Sequence, residues 1–524
     1  MKSQPTRLAT VLSAFAIVVA ACGSSTATAS PTTPSTAPST GASAGPAASP
    51  SAAPVPSAES FSGVTINVAT FTGPPIATPL QQAAATWSQQ TGGTVNITTF
   101  PFSDLYQKEI TDASSGQNAF TLYTMASIWL GDFASAGYAE DLTNVVPNYP
   151  GIQWSDILPF YRDISSTYGG KIYAVPFDGD MLMAYYRTDL LSAAGLQPPK
   201  TWDDYLAIAA QFQGKDLNGD GTPDYGSCIQ KARGGVGTWL FNGVLASFTQ
   251  SQGSKQGVFF GPNMSPNTGT DAMAAALKFW QDSGKYGPPD EINLDQSTGR
   301  GLFQTGRCAE TLDWGDTGVL ALDPNASKVI GKVGSVIMPG STQVLDPSTG
   351  KLVACDSSTC PDAIDGVNHA PFAAFGGWTG VINASADSQA QKAALSFIAY
   401  VASPGFSNWQ VTQGSSGMNP FRSSQMTDTQ TWKNAGMDET SAANYLGAIK
   451  DSLSSPNAAL DLRIAQASEY TNTIEDQGIA QFLAGQLNAD AAQKQITDAW
   501  NSLTDKIGRS SQQSAYSASL GAGQ

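Results

Sequence analysis

The chain has 524 residues, enough for one to four domains, and is 41% hydrophobic but only 13% charged, about half the share usual in globular proteins. Acidic side chains outnumber basic ones 42 to 26, for a net charge of −16, which argues against a nucleic-acid binder and against docking on anionic lipid by charge. A single histidine, His369, excludes multi-histidine metal centres and would have to serve any Cys–His or Ser–His chemistry alone.

Lys2 and Arg7 precede an apolar run, Leu8 to Ala21, that is shorter than the roughly 20 residues needed to span a bilayer and reads as a signal peptide, residues 1–21. The run ends in Val19-Ala20-Ala21-Cys22-Gly23, which resembles a bacterial lipobox, so Cys22 is the expected lipidation site and mature N-terminus. Loss of Lys2 and Arg7 takes the net charge from −16 to −18. From Gly23 to Gly63 every residue except Val55, Glu59 and Phe61 is Ser, Thr, Ala, Pro or Gly. Such a stretch buries no core, so residues 22–63 are expected to form a disordered tether, reaching about 130 Å when extended. The tail, residues 509–524, is expected to fray.

The folded body opens with a β-branched, alternating strand, Val64 to Ala69, then a helix over Gln81 to Gln90. A strand at Val95–Thr98, a helix at Ser103–Ser115 and a strand at Phe120–Tyr123 follow, an alternation that predicts parallel α/β architecture. Further strands are predicted at Lys171–Pro176 and Met181–Tyr186. Thr201 is a predicted N-cap, with Asp203 and Asp204 in the first turn of its helix. Asp438 to Lys506 carries an almost unbroken helical periodicity.

Four cysteines lie in the body. Cys355 and Cys360 enclose only Asp-Ser-Ser-Thr, so a local disulfide is expected there, leaving Cys228 with Cys308. Asp216, Asn218, Asp220, Thr222 and Asp224, with Gly221 at position 6, match part of a calcium loop of EF-hand type; Ser227 stands where the twelfth-position acid belongs. A structural Ca2+ is one reading of this loop, and a tight Asp/Gly turn capping its own backbone is the other. No other cofactor is expected.

Several motifs then recur in a familiar order. They are Trp129, Phe133-Ala134, Gly137 and Asp141-Leu142-Thr143; Gly170-Lys171-Ile172-Tyr173-Ala174-Val175-Pro176-Phe177-Asp178-Gly179-Asp180; and Tyr185-Tyr186-Arg187. Ala194-Gly195-Leu196, Pro199-Lys200-Thr201-Trp202-Asp203, Phe303-Gln304-Thr305-Gly306-Arg307 with Trp314, and Gly376-Gly377-Trp378-Thr379-Gly380 complete the set. In this order and spacing they resemble the family 1 extracellular solute-binding proteins of ABC importers, the group that includes maltose-binding protein. The resemblance implies a two-lobed α/β fold of periplasmic-binding-protein type II, with three chain crossings near 176–184, 309–313 and 380–388. One lobe would be 64–178 plus 312–382, the other 184–308 plus 388–508. It further implies a solute held in the interlobe cleft, hinge closure, and delivery to an ABC permease by a monomer lipid-anchored at the outer face of the cytoplasmic membrane.

Sugars present apolar ring faces and hydroxyl edges, so a sugar site needs aromatic planes and carboxylate, amide or guanidinium partners. By position in the motif order, the candidates are Trp129, Trp239, Trp314 and Trp378 as platforms. Asp178, Asp180, Asp313, Asp316, Asn242 and Arg422 are the polar candidates. Low Lys and Arg content disfavours phosphate or sulfate cargo, which leaves a sugar, a short oligosaccharide or a polyol. A non-transport sensing or wall-associated lipoprotein is the alternative. A glycoside hydrolase using Asp178 with Asp313 or Asp316 is a weaker one, because nothing in the sequence fixes their separation.

Overall fold

The computed structural model describes residues 54–55, 59–414 and 416–521. The signal peptide, Cys22 and nearly all of the tether lie outside the described residues. Phe61, expected in the tether, is instead buried and stacks on Trp87 with ring centroids 5.5 Å apart. An aromatic ring next to the first strand finds an apolar place there that the surrounding small residues could not use.

The first strand, β1 (Thr65–Phe71), leads through Gly73 into helix α1 (Pro74–Thr91). This helix starts earlier than expected because Pro74 and Pro75 fit the first helical turn, where no backbone N–H is required. Strand β2 (Thr94–Phe100), helix α2 (Phe102–Ser115) and strand β3 (Leu122–Ala126) follow. Strand β2 and strand β3 flank β1 in parallel, as the alternation predicts. The predicted strand at 171–176 is broken, and only β4 (Val175–Pro176) joins this sheet.

Beyond it the chain builds a second sheet from β5 (Leu182–Arg187), β6 (Tyr225–Ser227), β7 (Cys308–Trp314) and β8 (Val333–Ile337). Its order is β8-β5-β7-β6, with antiparallel β8–β5 and β5–β7 pairs. Strand β9 (Trp378–Ile382) returns to the first sheet, whose order is β2-β1-β3-β9-β4. One buried core gathers the first sheet and also takes in Met183, Tyr185 and Cys308 of the second, and another forms around Leu182, Ala184, Leu312 and Trp314. Helix α3 (Trp202–Phe212) carries the predicted capping box: Thr201 Oγ1 accepts from the Asp204 N–H, and the Asp204 carboxylate accepts from the Thr201 N–H. The second lobe continues with α4 (Gly237–Thr249) and α5 (Gln296–Gln304).

The expected lobe boundaries need correcting. Strand β8, assigned to the first lobe, is an edge of the second sheet, where Val333–Ile337 pairs with β5. Helix α6 (Ser388–Ala402), assigned to the second lobe, buries its apolar face with the first core through Phe397 and Ile398. Helix α7 (Glu439–Leu453) returns to the second sheet, where Asn444 exchanges hydrogen bonds with the Ser335 backbone.

The predicted helical run from 438 to 506 is interrupted after Leu453 by a short strand at Ala459–Leu460. It resumes and ends in α8 (Ala489–Ile507). The expected frayed tail is a helix, α9 (Arg509–Ser519). Tyr516 anchors it by packing edge-on to Phe260 and accepting a hydrogen bond from the Phe259 N–H (3.1 Å). Gln512 adds a hydrogen bond to the Ala465 carbonyl (3.0 Å).

Both expected disulfides are present. Cys228–Cys308 ties β6 to β7 with Cα atoms 5.9 Å apart, and Cys355–Cys360 closes a surface loop at 5.4 Å. The Asp216–Asp224 segment forms a tight turn whose side chains cap its own backbone. Asp216 accepts from the N–H groups of Gly219, Asp220 and Gly221, and Asp220 from those of Thr222. Asp224 divides its oxygens between the Leu217 N–H and the Arg307 guanidinium, both at 2.7–2.9 Å. Among the described residues no cluster of three His, Cys, Asp or Glu is grouped as metal ligands.

Candidate functional site

The interlobe cleft is walled by residues at the ends of strands and starts of helices. Phe71 ends β1, Phe102 opens α2 and Trp378 opens β9 on one side; Trp314 ends β7 and Trp239 lies in the first turn of α4 on the other. Strand ends where connections diverge are where open α/β sheets bind ligands. Two compartments share Phe102, Gly234, Gly235 and Trp239. The inner one has a volume of about 160 Å³ and the outer one about 760 Å³.

The inner compartment is a cage of rings. Trp314 stacks on Phe375 (centroids 5.5 Å apart, planes at 18°), and Phe71 on Trp378 (5.8 Å, 18°). Trp239 lies 4.4 Å from Phe375, and Phe102 touches Trp129, Trp239, Phe375 and Trp378. Phe375 holds φ 61°, a strained value for a bulky side chain, just before Gly376 and Gly377, which are also left-handed. The strain presents its ring to the cage from a segment where an extended residue would turn away.

The polar edge of the cage is one guanidinium held by two carboxylates. Arg300 donates Nε and Nη2 to Asp313 (2.8–3.1 Å) and Nη1 and Nη2 to Asp316 (2.8 and 2.7 Å). Asp313 also accepts from Gln230 Nε2 (2.8 Å). Burial, against the pull of Arg300, lifts the Asp316 carboxyl to about 6. The two carboxylates hold the Arg300 proton more tightly than usual, even though burial opposes its charge.

Behind Trp239 lies an acidic layer. Its indole N–H donates to Asp461 Oδ2 (2.8 Å), and burial raises Asp461 to about 6. One turn further along α4, Asn242 donates to Glu475 (3.1 Å), whose carboxyl burial raises to about 8. Asp476 faces the outer compartment and accepts from Thr238 Oγ1 (2.9 Å) and the Gly234 N–H (3.1 Å). Two buried indole donors, Trp129 Nε1 and Trp314 Nε1, have no hydrogen-bond partner among the described residues. Such donors are costly unless something fills the space beside them.

Of the predicted site residues, Trp239, Trp314, Trp378, Asp180 and Asp316 line the inner compartment, and Trp129 the outer one. Four others do not line either. Asp178 is wholly buried and accepts from the Asn419 backbone and side-chain N–H groups. Asn242 and Asp313 are equally buried, engaged with Glu475 and Arg300. Arg422 is a structural cation that donates to the Ile152 and Ala402 carbonyls and pairs with Asp156 at 3.2 Å.

Sequence reasoning missed Phe71, Phe102, Tyr106, Arg300, Phe375 and Asp476. Arg300 had a usable signal: a cation flanked by Gly299 and Gly301, two helical turns ahead of β7, in a chain poor in cations. Phe375 had one as well, next to the paired glycines.

The sequence matches the family described as bacterial extracellular solute-binding protein over residues 73–406. A mannitol-binding protein of Pseudomonas aeruginosa is 28% identical over 238 residues, 45% of this chain and 51% of the relative, so the chain spans about half the length of that relative. Among solved structures, a solute-binding protein of Agrobacterium radiobacter K84 in complex with ribitol superposes with a TM-score of 0.68 at 22% identity, over 85% of this chain and 100% of that one. A maltose-bound protein of T. maritima gives 0.66 at 23% identity, over 84% and 100%.

Proposed function

The chain belongs to the bacterial extracellular solute-binding proteins, and on that premise we propose that its cleft captures a neutral sugar or polyol and delivers it to an ABC permease. The observation that carries the reading is the inner compartment: stacked aromatic planes on both lobes beside the fixed Arg300–Asp316 pair. Flat rings take the apolar C–H face of a sugar or extended polyol, and the guanidinium and carboxylate oxygens take its hydroxyls. The outer compartment, with Trp129, Tyr106 and Asp476, gives room for further units of a short oligosaccharide. The mannitol, ribitol and maltose named for the relatives belong to this chemical class.

We read the chain as a binder: the carboxylates that a glycoside hydrolase would recruit here are engaged, Asp313 and Asp316 by Arg300, and Asp178 by the Asn419 N–H groups. Cys22 carries the lipid that holds a monomer at the outer face of the membrane. Intrinsic tryptophan fluorescence, titrated with mannitol, ribitol, maltose and their homologues, tests the reading. A saturable change with the solute recovered intact supports capture, whereas turnover, or silence across the panel, contradicts it.

A further inference from the structure

The passage from β4 to β5 carries Asp178-Gly179-Asp180 between the two sheets, and the other connecting segments close upon it. A Cβ on Gly179 would meet the Pro420 carbonyl oxygen at 2.2 Å, and one on Gly377 the Asp178 carbonyl oxygen at 2.3 Å. A Cβ on Gly315, just past β7, would meet Asn419 Oδ1 at 2.6 Å. Four stretches of chain, at 178–180, 315, 377 and 419–420, thus come together here.

At that point stand two buried carboxyl groups. Asp178 is wholly buried and Asp180 is 5% exposed. A single nitrogen, Asn419 Nδ2, donates to Asp178 Oδ1 (3.2 Å) and to Asp180 Oδ1 (3.1 Å), which brings the two carboxyls side by side. Asp178 Oδ2 and Asp180 Oδ2 are both buried with no donor among the described residues. The cation that acts on Asp180, Arg300, is itself engaged by Asp313 and Asp316. The remaining titratable neighbours are Tyr161, which donates to the Asp180 carbonyl (3.3 Å), and Tyr185 and Tyr445, which donate to the Gly315 carbonyl (2.9 and 2.7 Å). Two like charges side by side in such a place cannot both ionise.

We propose that Asp178 and Asp180 share one proton between their Oδ2 atoms and act as a pH-sensitive latch where the connecting segments of the two lobes meet. The proton satisfies both orphan oxygens with one hydrogen bond. Its loss puts two repelling charges on residues that flank Gly179 and moves Asp180 in the wall of the inner compartment. The latch is independent of which solute fills the cleft. In keeping with it, burial raises both carboxyls, Asp180 well above the ordinary range, with Asp178 and Asp316 adding to the shift and Arg300 opposing it.

The test is urea unfolding of the wild-type protein, Asp180→Asn and Asp178→Asn across a pH series, with native tryptophan emission recorded alongside. An unfolded aspartate holds no proton above its ordinary range, but the folded pair does. The pair's contribution is therefore full at acid pH and is lost as pH climbs through its raised value. In that window the wild-type folding constant is expected to fall by up to roughly tenfold per pH unit relative to Asp180→Asn, whose amide replaces the shared proton. Other buried acids, such as Glu109, Glu310 and Glu475, are common to all three proteins and cancel in the comparison. Wild-type emission is expected to show a reversible transition that either Asn variant removes. Parallel stability curves with no change in emission behaviour overturn the proposal. So does failure of both variants to fold, since an amide fills the place of a neutral carboxyl. Silence of the solute panel contradicts the proposed cargo and leaves these curves to decide the latch.

Discussion

Replacing Arg300 with Met removes the one cation at the polar edge of the cleft while keeping a straight side chain of similar length. The Arg300 side chain is 11% exposed, and those of Asp313 and Asp316 are 0% and 4% exposed. Removing one member of so buried an ion pair costs about 3–5 kcal/mol, because the carboxylates left behind keep their desolvation penalty without their partner. Two carboxylates depend on this guanidinium, so the upper half of that range, about 4–5 kcal/mol, is expected at neutral pH, a fall of roughly a thousandfold in the folding constant. The cost is electrostatic and must therefore depend on pH. The Asp316 carboxyl already sits at about 6 with Arg300 in place; without it, Asp316 takes up a proton still more readily and becomes neutral. The penalty should be largest above that value and shrink as pH falls below it. Urea unfolding of Arg300→Met and wild type at neutral and acid pH measures both quantities. Equal midpoints at neutral pH, or a penalty that does not shrink in acid, would refute the reasoning.

Removing the Cys228–Cys308 disulfide, which closes 80 residues, should cost about 4–5 kcal/mol, and removing Cys355–Cys360, which closes 5, only about 2 kcal/mol, both by chemical denaturation. Asp461→Leu should strand the Trp239 indole N–H and destabilise by about 1–3 kcal/mol while weakening solute binding, read by denaturation and fluorescence titration. Trp314→Ala should lower solute affinity at least tenfold, since it removes one wall of the stacked pair with Phe375, and calorimetric titration checks it. A chelator should leave the melting temperature unchanged, whereas Asp216→Ala should lower stability by about 1–2 kcal/mol through the three N–H groups it strands, with thermal melts as the readout.

The sequence made the strands legible where β-branched residues ran together, as in Thr65–Phe71, or where aromatic and long apolar residues did, as in Leu182–Arg187. It placed the Thr201 cap and both disulfides because those depend on neighbours only a few residues away or on counting. Lobe membership was less legible. Val333–Ile337 is not among the strands predicted from the sequence, and which sheet it edges is decided by pairing with β5, about 150 residues earlier. The tail looked structureless because its helix has few apolar residues; one of them, Tyr516, finds Phe260 on a distant loop. The aromatic platforms could be located because tryptophans stand beside glycines and strand ends. The polar partners were legible only in part: Asp180 and Asp316 line the cleft as expected, but Asp313, three residues before Asp316 and of the same chemistry, holds Arg300 without lining it. Both are buried, and only their place relative to the cleft wall separates them.

The most direct test of solute capture in the cleft is a crystal structure of the protein with whichever of mannitol, ribitol or maltose binds most tightly in titration. The account predicts density against the Trp314, Phe375 and Trp239 rings, with hydroxyls on the Arg300 and Asp316 side chains and the two lobes closed around it. Density bound elsewhere on the protein, or an empty cage in a protein saturated with that solute, would contradict it.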